Sequence, residues 1–293
     1  MSQVLLGDVG RYRTGDGPGI RTVLFFKGCP LTCPWCHNPE FINFVPEIAF
    51  YDEKCIGCGE CIQVCPQQAI KPHKTDRIDR IYCDGCRKCA EACPSRALRL
   101  VGQLYEIEDI IELVLLDRAY YQTSGGGVTL SGGEPTSQME GAAKILIRLR
   151  GESIHTAIET SGFFNWNIFH DLILDQLDLI YFDIKLADSY EHFSHIGQHN
   201  TLIWENLQKI AALRPNDLIV RIPLIPGFTT DKKNIRAIAE RIHKFGVRRH
   251  ELLAYHPMGR DKRARIGDKP VSGLPDWFMT KEERNVFESY FNE

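Results

Sequence analysis

Six short apolar segments recur along the chain, separated by stretches with a helical pattern of hydrophobic residues. The segments cover 22–26, 127–131, 155–159, 178–184, 218–224 and 249–255, and they are partly β-branched. Short apolar runs of this kind are typical of parallel strands that are buried on both faces. We therefore predict six strands of a parallel sheet.

Four helical stretches lie between these strands, at 106–121, 138–150, 201–213 and 231–245. In the last stretch the apolar residues recur at intervals that place them on one face of a helix. Asp231 is suited to cap the start of that helix, and Gly246 is suited to end it. Alternating strands and helices predict an α/β fold with a parallel sheet.

The number of strands limits the architecture. A complete eight-stranded barrel needs about 250 residues and more strands than this pattern provides. We therefore expect a partial (β/α)6 TIM-like barrel, formed by residues 1–49 and 101–293. Residues 50–100 would be an insertion after the first strand, and a chain of 293 residues has room for both parts.

All eleven cysteines fall into three tight clusters. The stretches 55–70 and 83–98 align without gaps and keep each cysteine, one glycine and one proline. Both have the C-x2-C-x2-C-x3-C-P pattern of two-cluster bacterial ferredoxins, in which the fourth cysteine of each run ligates the other cluster. The pattern predicts a ferredoxin-like insert with two [4Fe-4S] clusters, one held by Cys55, Cys58, Cys61 and Cys93, the other by Cys83, Cys86, Cys89 and Cys65.

The first cluster of cysteines has only three members, Cys29, Cys33 and Cys36, in the run GCPLTCPWCHN. A cubane held by three thiolates keeps one iron without a protein ligand, so that iron can bind a molecule that reacts. We predict one reactive cluster here and two further clusters that supply it with electrons.

Composition narrows the class of function. The formal net charge of −3 argues against nucleic acid or a membrane as a partner. We find no signal-peptide pattern at the start and no apolar run of the ~18–20 residues that span a bilayer. We therefore expect a cytoplasmic protein whose cysteines bind metal. A disulfide scaffold and a pair of zinc sites are the alternatives, and the C-P that ends each run favours iron–sulfur clusters.

Polar residues and glycines follow every predicted strand. Active sites of parallel α/β folds form at the carboxyl ends of the strands, so we expect these residues to converge on one face. They comprise the Cys29 cluster, 131–135, 159–162, 183–185, Arg221 with 226–227, and 255–257.

The C-x3-C-x2-C run with Trp35 before its last cysteine, followed by the GGEP turn at 132–135, resembles the radical S-adenosylmethionine superfamily. The runs DGPGIR at 16–21 and FFKGCPLTCPWCHNPE at 25–40 resemble the activating enzymes of glycyl radical enzymes, in the subgroup with an inserted two-cluster ferredoxin-like domain. The resemblance covers nearly the whole chain. It implies three [4Fe-4S] clusters, S-adenosylmethionine as cofactor, a glycyl radical enzyme as partner, and flavodoxin or ferredoxin as electron donor.

The activity that the resemblance implies is reductive cleavage of S-adenosylmethionine to a 5′-deoxyadenosyl radical, under strictly anaerobic conditions. That radical would take a hydrogen atom from a backbone glycine of the partner. One alternative is a radical enzyme that acts on a small molecule or free peptide, which the DGPGIR run opposes. Another is an electron carrier with a vestigial barrel, which the polar strand ends oppose. The motifs do not separate the dehydratases, decarboxylases and C–N or C–S lyases that this subgroup serves.

The resemblance also implies roles for individual residues. The backbone of the GGE motif would approach the methionine amino group, because glycine allows close approach. Arg221 would pair with the methionine carboxylate, which suits a guanidinium fork. The residues expected at the cofactor are Trp35, Gly132, Gly133, Glu134, Asp183, Lys185, Arg221 and His256, and Asp16 is expected in the loop that faces the partner.

A monovalent-cation site is a further implication. Asp183, Glu159 and Thr160 match such a site beside the methionine carboxylate in a relative, although Glu159 stands where the relative has an aspartate. We interpret 123–127, a glycine-rich run without a following lysine, as a flexible segment before the second strand. The polar connection that contains His192, His195 and His199 is expected at the surface.

Overall fold

The computed structural model describes residues 2–72 and 77–291. Ten strands form two sheets. The strands are β1 Gln3–Arg13, β2 Arg21–Phe26, β3 Glu47–Phe50, β4 Leu98–Val101, β5 Gln103–Glu106, β6 Gly127–Gly132, β7 His155–Thr160, β8 Leu179–Asp183, β9 Leu218–Leu224 and β10 His250–Ala254. The larger sheet has the order β10-β9-β8-β7-β6-β2-β1-β5, and the smaller one pairs β3 with β4.

Eleven α-helices connect or flank these strands within the described residues. They are α1 Glu60–Gln63, α2 Lys88–Glu91, α3 Ile107–Leu115, α4 Arg118–Ser124, α5 Met139–Gly151, α6 Trp166–Leu172, α7 Ser189–Ile196, α8 Thr201–Leu213, α9 Lys232–Lys244, α10 Gly259–Arg265 and α11 Lys281–Glu288. In the part of the chain described here, no helix has the length and apolarity needed to cross a membrane.

The six predicted strands are confirmed as β2 and β6 to β10, which pair in parallel in chain order. The molecule is therefore an α/β protein with a mostly parallel central sheet. The prediction missed β1 and β5, which extend this sheet in antiparallel fashion beyond β2. β5 is the edge strand, and β1 lies between it and β2. Both strands carry exposed polar residues, so they lack the apolar run of a central parallel strand.

The predicted helix at 106–121 is wrong as a single element. The structure divides it into α3 and α4 at Asp117. The buried carboxylate of Asp117 accepts hydrogen bonds from Arg11 Nε at 2.8 Å and from Thr22 Oγ1 at 2.8 Å. These contacts to β1 and β2, which are distant in sequence, hold Asp117 between the end of α3 and the start of α4. In contrast, Asp231 caps α9 as predicted, since its side chain accepts from the backbone N–H of Lys233.

The two faces of the parallel sheet differ, because successive strand residues point to opposite sides. One face packs against the helices in the main hydrophobic core, to which Leu130, Ile158 and Phe182 belong. The other face has a small apolar cluster that includes Ala157 and Tyr181. Further along the same alternation, at the carboxyl ends of the strands, this second face carries Ser131, Glu159, Asp183 and Arg221.

The segment between β3 and β4 has a small core of its own, formed by Ile48, Cys61, Ile70, Ile78, Cys89 and Leu98. Its helices α1 and α2 are single turns that both start after a residue with positive φ, Gly59 and Arg87. The internal repeat seen in the sequence is thus present in the backbone. A buried ion pair joins this segment to the sheet, because Lys27 at the end of β2 donates to Glu47 at 2.7 Å.

Two further expectations are wrong. Residues 123–127 are not a loose segment: α4 ends at Ser124, and the Ser124 hydroxyl accepts a hydrogen bond from the backbone N–H of Ile20 at 2.8 Å. His192 is buried rather than at the surface, and its Nδ1 lies 2.6 Å from the carbonyl oxygen of Gln198.

Candidate active site

The three-cysteine loop leaves the end of β2 and is held by backbone hydrogen bonds. The N–H of Gly28 donates to Phe41 O at 2.8 Å, and the N–H of Cys29 donates to Ile42 O at 2.9 Å. The helix α10 closes over the loop, since Arg263 Nη2 donates to the carbonyl of Cys33 at 3.2 Å. Sequence reasoning missed Arg263, which lies 230 residues away from that cysteine.

The thiols of this loop lie close to one another and are shielded from solvent. Burial, with smaller contributions from Glu134 and from the neighbouring thiol of Cys33, raises the pKa of Cys29 well above its usual value. Burial and the thiol of Cys33 raise the pKa of Cys36 to about 12. Thiolates are therefore costly here unless a cation neutralises them, which is the situation that a metal cluster provides.

The two glycines of the GGE motif allow two backbone segments to approach each other. A Cβ on Gly132 would lie 2.4 Å from Phe26 N, and a Cβ on Gly133 would lie 2.5 Å from Gly28 O. The N–H groups of Gly133 and Glu134 donate to Phe26 O and Gly28 O, both at 2.8 Å. Glycine is thus required for contact between the end of β6 and the cysteine loop, a reason that the sequence did not reveal.

Glu134 is fully buried, and its carboxylate accepts five hydrogen bonds. The donors are the N–H and hydroxyl of Thr136, the hydroxyl of Thr160, and the N–H and hydroxyl of Ser161, at 2.6–3.2 Å. The side chain therefore braces the turn after β6 against the end of β7. Its role in the site is to position backbone, and the hydroxyl residues around it were not foreseen.

Arg221 lies at the centre of the polar strand ends. Its Nη1 donates to Glu159 Oε1 at 2.6 Å, and its Nε donates to Asp183 Oδ1 at 3.0 Å. Glu159 also accepts from Ser131 Oγ at 2.5 Å. The guanidinium carbon lies 4.9 Å from the ring centroid of Tyr181. None of the hydrogen bonds between described residues uses Arg221 Nη2, which leaves this nitrogen available to an anionic ligand.

Lys185 connects this polar group to the cysteine loop. Its Nζ lies 3.4 Å from Asp183 Oδ2. Burial alone would lower the pKa of Lys185, but Asp183 and the thiols of Cys33 and Cys29 outweigh burial and raise it. Burial favours neutral Asp183, but Arg221 and Lys185 outweigh it and hold the Asp183 pKa below its usual value. Both groups are therefore charged at neutral pH.

The side chains of the three residues predicted to form a cation site do not all point to one face of the sheet. Thr160 follows Glu159 on β7 and points to the opposite face, where its hydroxyl donates to Glu134 at 2.9 Å. The carboxylates of Glu159 and Asp183 do share one face, but Arg221 bridges them. A cation at this place would share both carboxylates with Arg221, and the site stays a prediction.

A cavity of about 190 Å³ lies beside the cysteine loop, lined by residues that include Trp35, Cys36 and His256. The His256 ring is 4.0 Å from the ring of His37 between centroids, in an edge-on arrangement. Among described residues, His256 Nδ1 is buried without a hydrogen-bond partner. Burial, followed by the charge of Lys262, lowers the pKa of His256, so the ring is neutral. A neutral imidazole with a free nitrogen can bind a polar ligand atom.

Asp16 lies near the same polar group. Burial and the charge of Glu159 raise the pKa of Asp16, while Arg13 and Arg221 counteract them. The backbone of its loop is tied to β6, because Thr129 Oγ1 donates to Asp16 O at 2.7 Å. Asp16 is thus brought toward the carboxyl ends of the strands, although it is distant from them in sequence.

The remaining eight cysteines lie between β3 and β4. Cys55, Cys58, Cys61 and Cys93 line one cavity together with Arg77. The pKa of Cys89 is raised to about 12 by burial and by the nearby thiols of Cys83, Cys65 and Cys86. Each grouping contains one cysteine from the other run of the repeat, which agrees with the predicted exchange of the fourth ligand.

None of the eleven cysteines forms a disulfide. No group of three or more His, Cys, Asp or Glu side chains within 2–72 and 77–291 is tight enough to hold a single metal ion. A cubane places each thiolate on a different iron, so it requires a wider set than one ion does. The thiols that line a shared cavity therefore fit a cluster better than they fit zinc.

The comparison with known proteins agrees with this site. The Radical SAM superfamily model matches residues 23–239. The chain is 38% identical over 283 residues to the benzylsuccinate synthase activating enzyme of Thauera aromatica, covering 93% of this chain and 85% of that protein. It is 39% identical to the trans-4-hydroxy-L-proline dehydratase activating enzyme of Clostridioides difficile, covering 87% and 85%. It is 35% identical to the choline trimethylamine-lyase activating enzyme of Oleidesulfovibrio alaskensis, covering 93% and 90%.

The matched region contains the three-cysteine loop, the GGE turn and Arg221, and the similarity to these relatives extends over most of the chain. The protein belongs to the Radical SAM superfamily and, within it, to the family of glycyl radical enzyme activating enzymes.

Proposed function

We propose that this protein activates a separate glycyl radical enzyme by taking a hydrogen atom from a backbone glycine of that enzyme. When bound, S-adenosylmethionine and a reduced cluster supply the 5′-deoxyadenosyl radical for this step. The observation that carries the proposal is the convergence of the three-cysteine loop, the braced GGE turn and the Arg221 group at the carboxyl ends of the strands. Identity of 35–40% to activating enzymes over most of the chain supports it.

Individual residues take their roles from this geometry. Cys29, Cys33 and Cys36 would hold the reactive cluster, and the charge of Lys185 would offset the charge of the thiolates beside it. Arg221 would offer Nη2 to the carboxylate of the cofactor while Glu159 and Asp183 hold the guanidinium in place.

The remaining cofactor contacts come from two sides. The backbone at 132–134 would face the amino group of the cofactor, in a position set by the side chain of Glu134. Trp35 and His256, which line the cavity beside Cys36, would bind the rest of the molecule. Asp16 would face the glycine-containing loop of the partner.

The domain division follows the two cores. Residues 1–49 and 101–293 would form the partial (β/α)6 barrel, and residues 50–100 would form a ferredoxin-like insert. The insert would carry two [4Fe-4S] clusters, for a total of three, and would receive electrons from flavodoxin or ferredoxin. The two groupings of four thiols and the single-turn helices of the repeat support this division.

The direct test is electron paramagnetic resonance of glycyl radical enzymes mixed anaerobically with the reduced protein and S-adenosylmethionine. The panel should include benzylsuccinate synthase, trans-4-hydroxy-L-proline dehydratase and choline trimethylamine-lyase, with a Cys33→Ala variant as control. We expect a glycyl radical signal with at least one partner and none with the variant. Release of 5′-deoxyadenosine without a radical on any partner would favour the small-molecule alternative. No release at all would favour an electron carrier.

A further inference from the structure

The two sets of four thiols in the insert have closely matched surroundings. Cys61 and Cys89 occupy equivalent positions in the repeat and are 7% and 6% exposed. The fourth cysteine of each run accepts a backbone N–H from the alanine four residues later: Ala97 donates to Cys93 Sγ at 3.2 Å, and Ala69 donates to Cys65 Sγ at 3.3 Å. Solvent exposure and backbone hydrogen bonding are therefore similar for the two sets.

Arg77 breaks this symmetry. Its Nη2 donates to Cys61 Sγ at 3.1 Å, and the side chain is 6% exposed. The guanidinium carbon lies 6.0 Å from the ring centroid of Phe50, and no carboxylate forms an ion pair with Arg77 among the described residues. In the same part of the chain, no side chain donates a hydrogen bond to Cys89, the repeat equivalent of Cys61. A buried positive charge thus contacts only one of the two sets.

The other charges near the two sets are exposed or are offset by opposite charges. Asp84 accepts a hydrogen bond from the N–H of Cys86 at 3.0 Å, and the equivalent residue in the first run is Ile56. Arg80 lies near Cys83, but Glu47 and Asp268 also lie near Arg80 and offset its charge. The repeat also places Lys88 before Cys89 where Glu60 precedes Cys61, but both side chains are exposed, so water and salt screen their charges. The difference in buried charge between the two sets is therefore Arg77.

We propose that Arg77 raises the reduction potential of the cluster held by Cys55, Cys58, Cys61 and Cys93 above that of the other insert cluster. Reduction adds one negative charge to a cluster, so a positive charge and an N–H donor at a ligand sulfur stabilise the reduced form. The cluster beside Arg77 is therefore the first of the two to accept an electron and the one that stores it. This inference rests on the two insert clusters proposed above.

The test is an anaerobic potentiometric titration of the full chain, followed by electron paramagnetic resonance. S-adenosylmethionine changes the spectrum of the cluster that has the open iron. The two transitions that do not respond to the cofactor are therefore those of the insert clusters. In Arg77→Met the less negative insert transition should move to more negative potential. At a fixed potential, the ratio of reduced to oxidised cluster should fall at least tenfold. For a one-electron couple, a tenfold fall corresponds to a shift in reduction potential of about 59 mV.

Two further variants separate the possible causes. Arg77→Gln keeps an N–H donor without the charge, so its shift should have the same sign and be smaller. Arg99→Met removes an exposed arginine of the same insert that lies 4.8 Å from the ring of Tyr51 and, among the described residues, donates no hydrogen bond to a cysteine sulfur. It should leave both transitions unchanged. A shift in Arg99→Met as large as in Arg77→Met would mean that net charge alone is responsible, which overturns the proposal.

Other results also decide the question. If the more negative insert transition moves in fully loaded Arg77→Met, or if neither insert transition moves, the proposed role of Arg77 is overturned.

If Arg77→Met and Arg77→Gln both lose about four irons per chain, Arg77→Lys is the variant to measure. Failure of Arg77→Lys to load would show that Arg77 only stabilises the fold. Loaded Arg77→Lys keeps a positive charge and an N–H donor, so its less negative insert transition should stay near the wild-type potential. A tenfold or larger fall in the ratio of reduced to oxidised cluster in that variant would overturn the charge argument. A wild-type protein with about four irons in total would instead contradict the insert clusters themselves.

Discussion

Arg221 and Asp183 occupy paired positions on the neighbouring parallel strands β9 and β8, and Arg221 Nε donates to Asp183 Oδ1 at 3.0 Å. The same guanidinium reaches Glu159 on β7. One cation thus links three adjacent strand ends at the place where the cofactor is proposed to bind. Arg221 and Lys185 hold the pKa of Asp183 below its usual value, and the two contacts of Arg221 fix the direction of its remaining nitrogen.

Arg221→Met should weaken the binding of S-adenosylmethionine by about 10- to 100-fold, because a charge-assisted hydrogen bond contributes about 1.5–3 kcal/mol. Removal of the guanidinium also leaves Glu159 and Asp183 facing the cofactor carboxylate without their shared partner. Equilibrium binding of the cofactor to the reconstituted protein measures the effect. Arg248→Met, at an exposed arginine that bonds Asn216, is the matched control and should bind normally. Normal binding by Arg221→Met would remove Arg221 from the cofactor site.

Cys29→Ala, Cys33→Ala and Cys36→Ala should each abolish release of 5′-deoxyadenosine, since the reactive cluster needs all three thiolates. Anaerobic chromatography after chemical reduction measures this product. Cys58→Ala and Cys86→Ala, at exposed ligands of the insert, should still bind the cofactor but should receive electrons more slowly. Turnover by any of the first three variants would show that the cluster is assigned to the wrong cysteines.

Anaerobic reconstitution should load about twelve irons per chain, which corresponds to four for each of three cubanes. Iron and sulfide analysis measures the content. The Cys29→Ala/Cys33→Ala/Cys36→Ala triple variant should retain about eight. A wild-type value that stops near four would leave the eight cysteines between β3 and β4 without clusters.

Glu134→Gln should destabilise the fold by about 3 kcal/mol, because the amide NH2 group cannot accept hydrogen bonds and would face buried donors that now bond to one of the two carboxylate oxygens. The midpoint of anaerobic thermal unfolding should fall by several degrees. Glu140→Gln, at an exposed position one turn further along, should leave the midpoint unchanged. Equal midpoints for the two variants would contradict the bracing role of Glu134.

The buried ring of His192 predicts a loss of stability in mild acid. Burial lowers the His192 pKa below its usual 6.5, despite the hydrogen bond to Gln198. The unfolded chain therefore binds a proton at a higher pH than the folded chain, so the stabilisation is complete above pH 6.5 and is lost as pH falls toward the folded pKa. His192→Asn should flatten the decrease in thermal midpoint over this range, whereas exposed His199→Asn should not. Parallel pH profiles for wild type and His192→Asn would rule out this contribution.

The sequence by itself determined the features that depend on local spacing. Apolar runs of strand length identified β2 and β6 to β10 within one or two residues, because central parallel strands are buried on both faces. The spacing of the cysteines within each run brings successive thiols to one loop or one helical turn, so the three sets were visible before any fold was known. Asp231 was identified as a cap for the same reason, since its partners are the next residues in the chain.

Only the tertiary structure decided which distant groups meet. Glu134 accepts hydrogen bonds from Thr160 and Ser161 at the end of β7. Arg77 reaches Cys61 across the insert, and Arg221 pairs with Asp183 on the neighbouring strand. These contacts depend on strand order, on register and on which face each residue occupies. A local pattern carries none of that information, because a shift of one residue along a strand turns a side chain to the other face of the sheet.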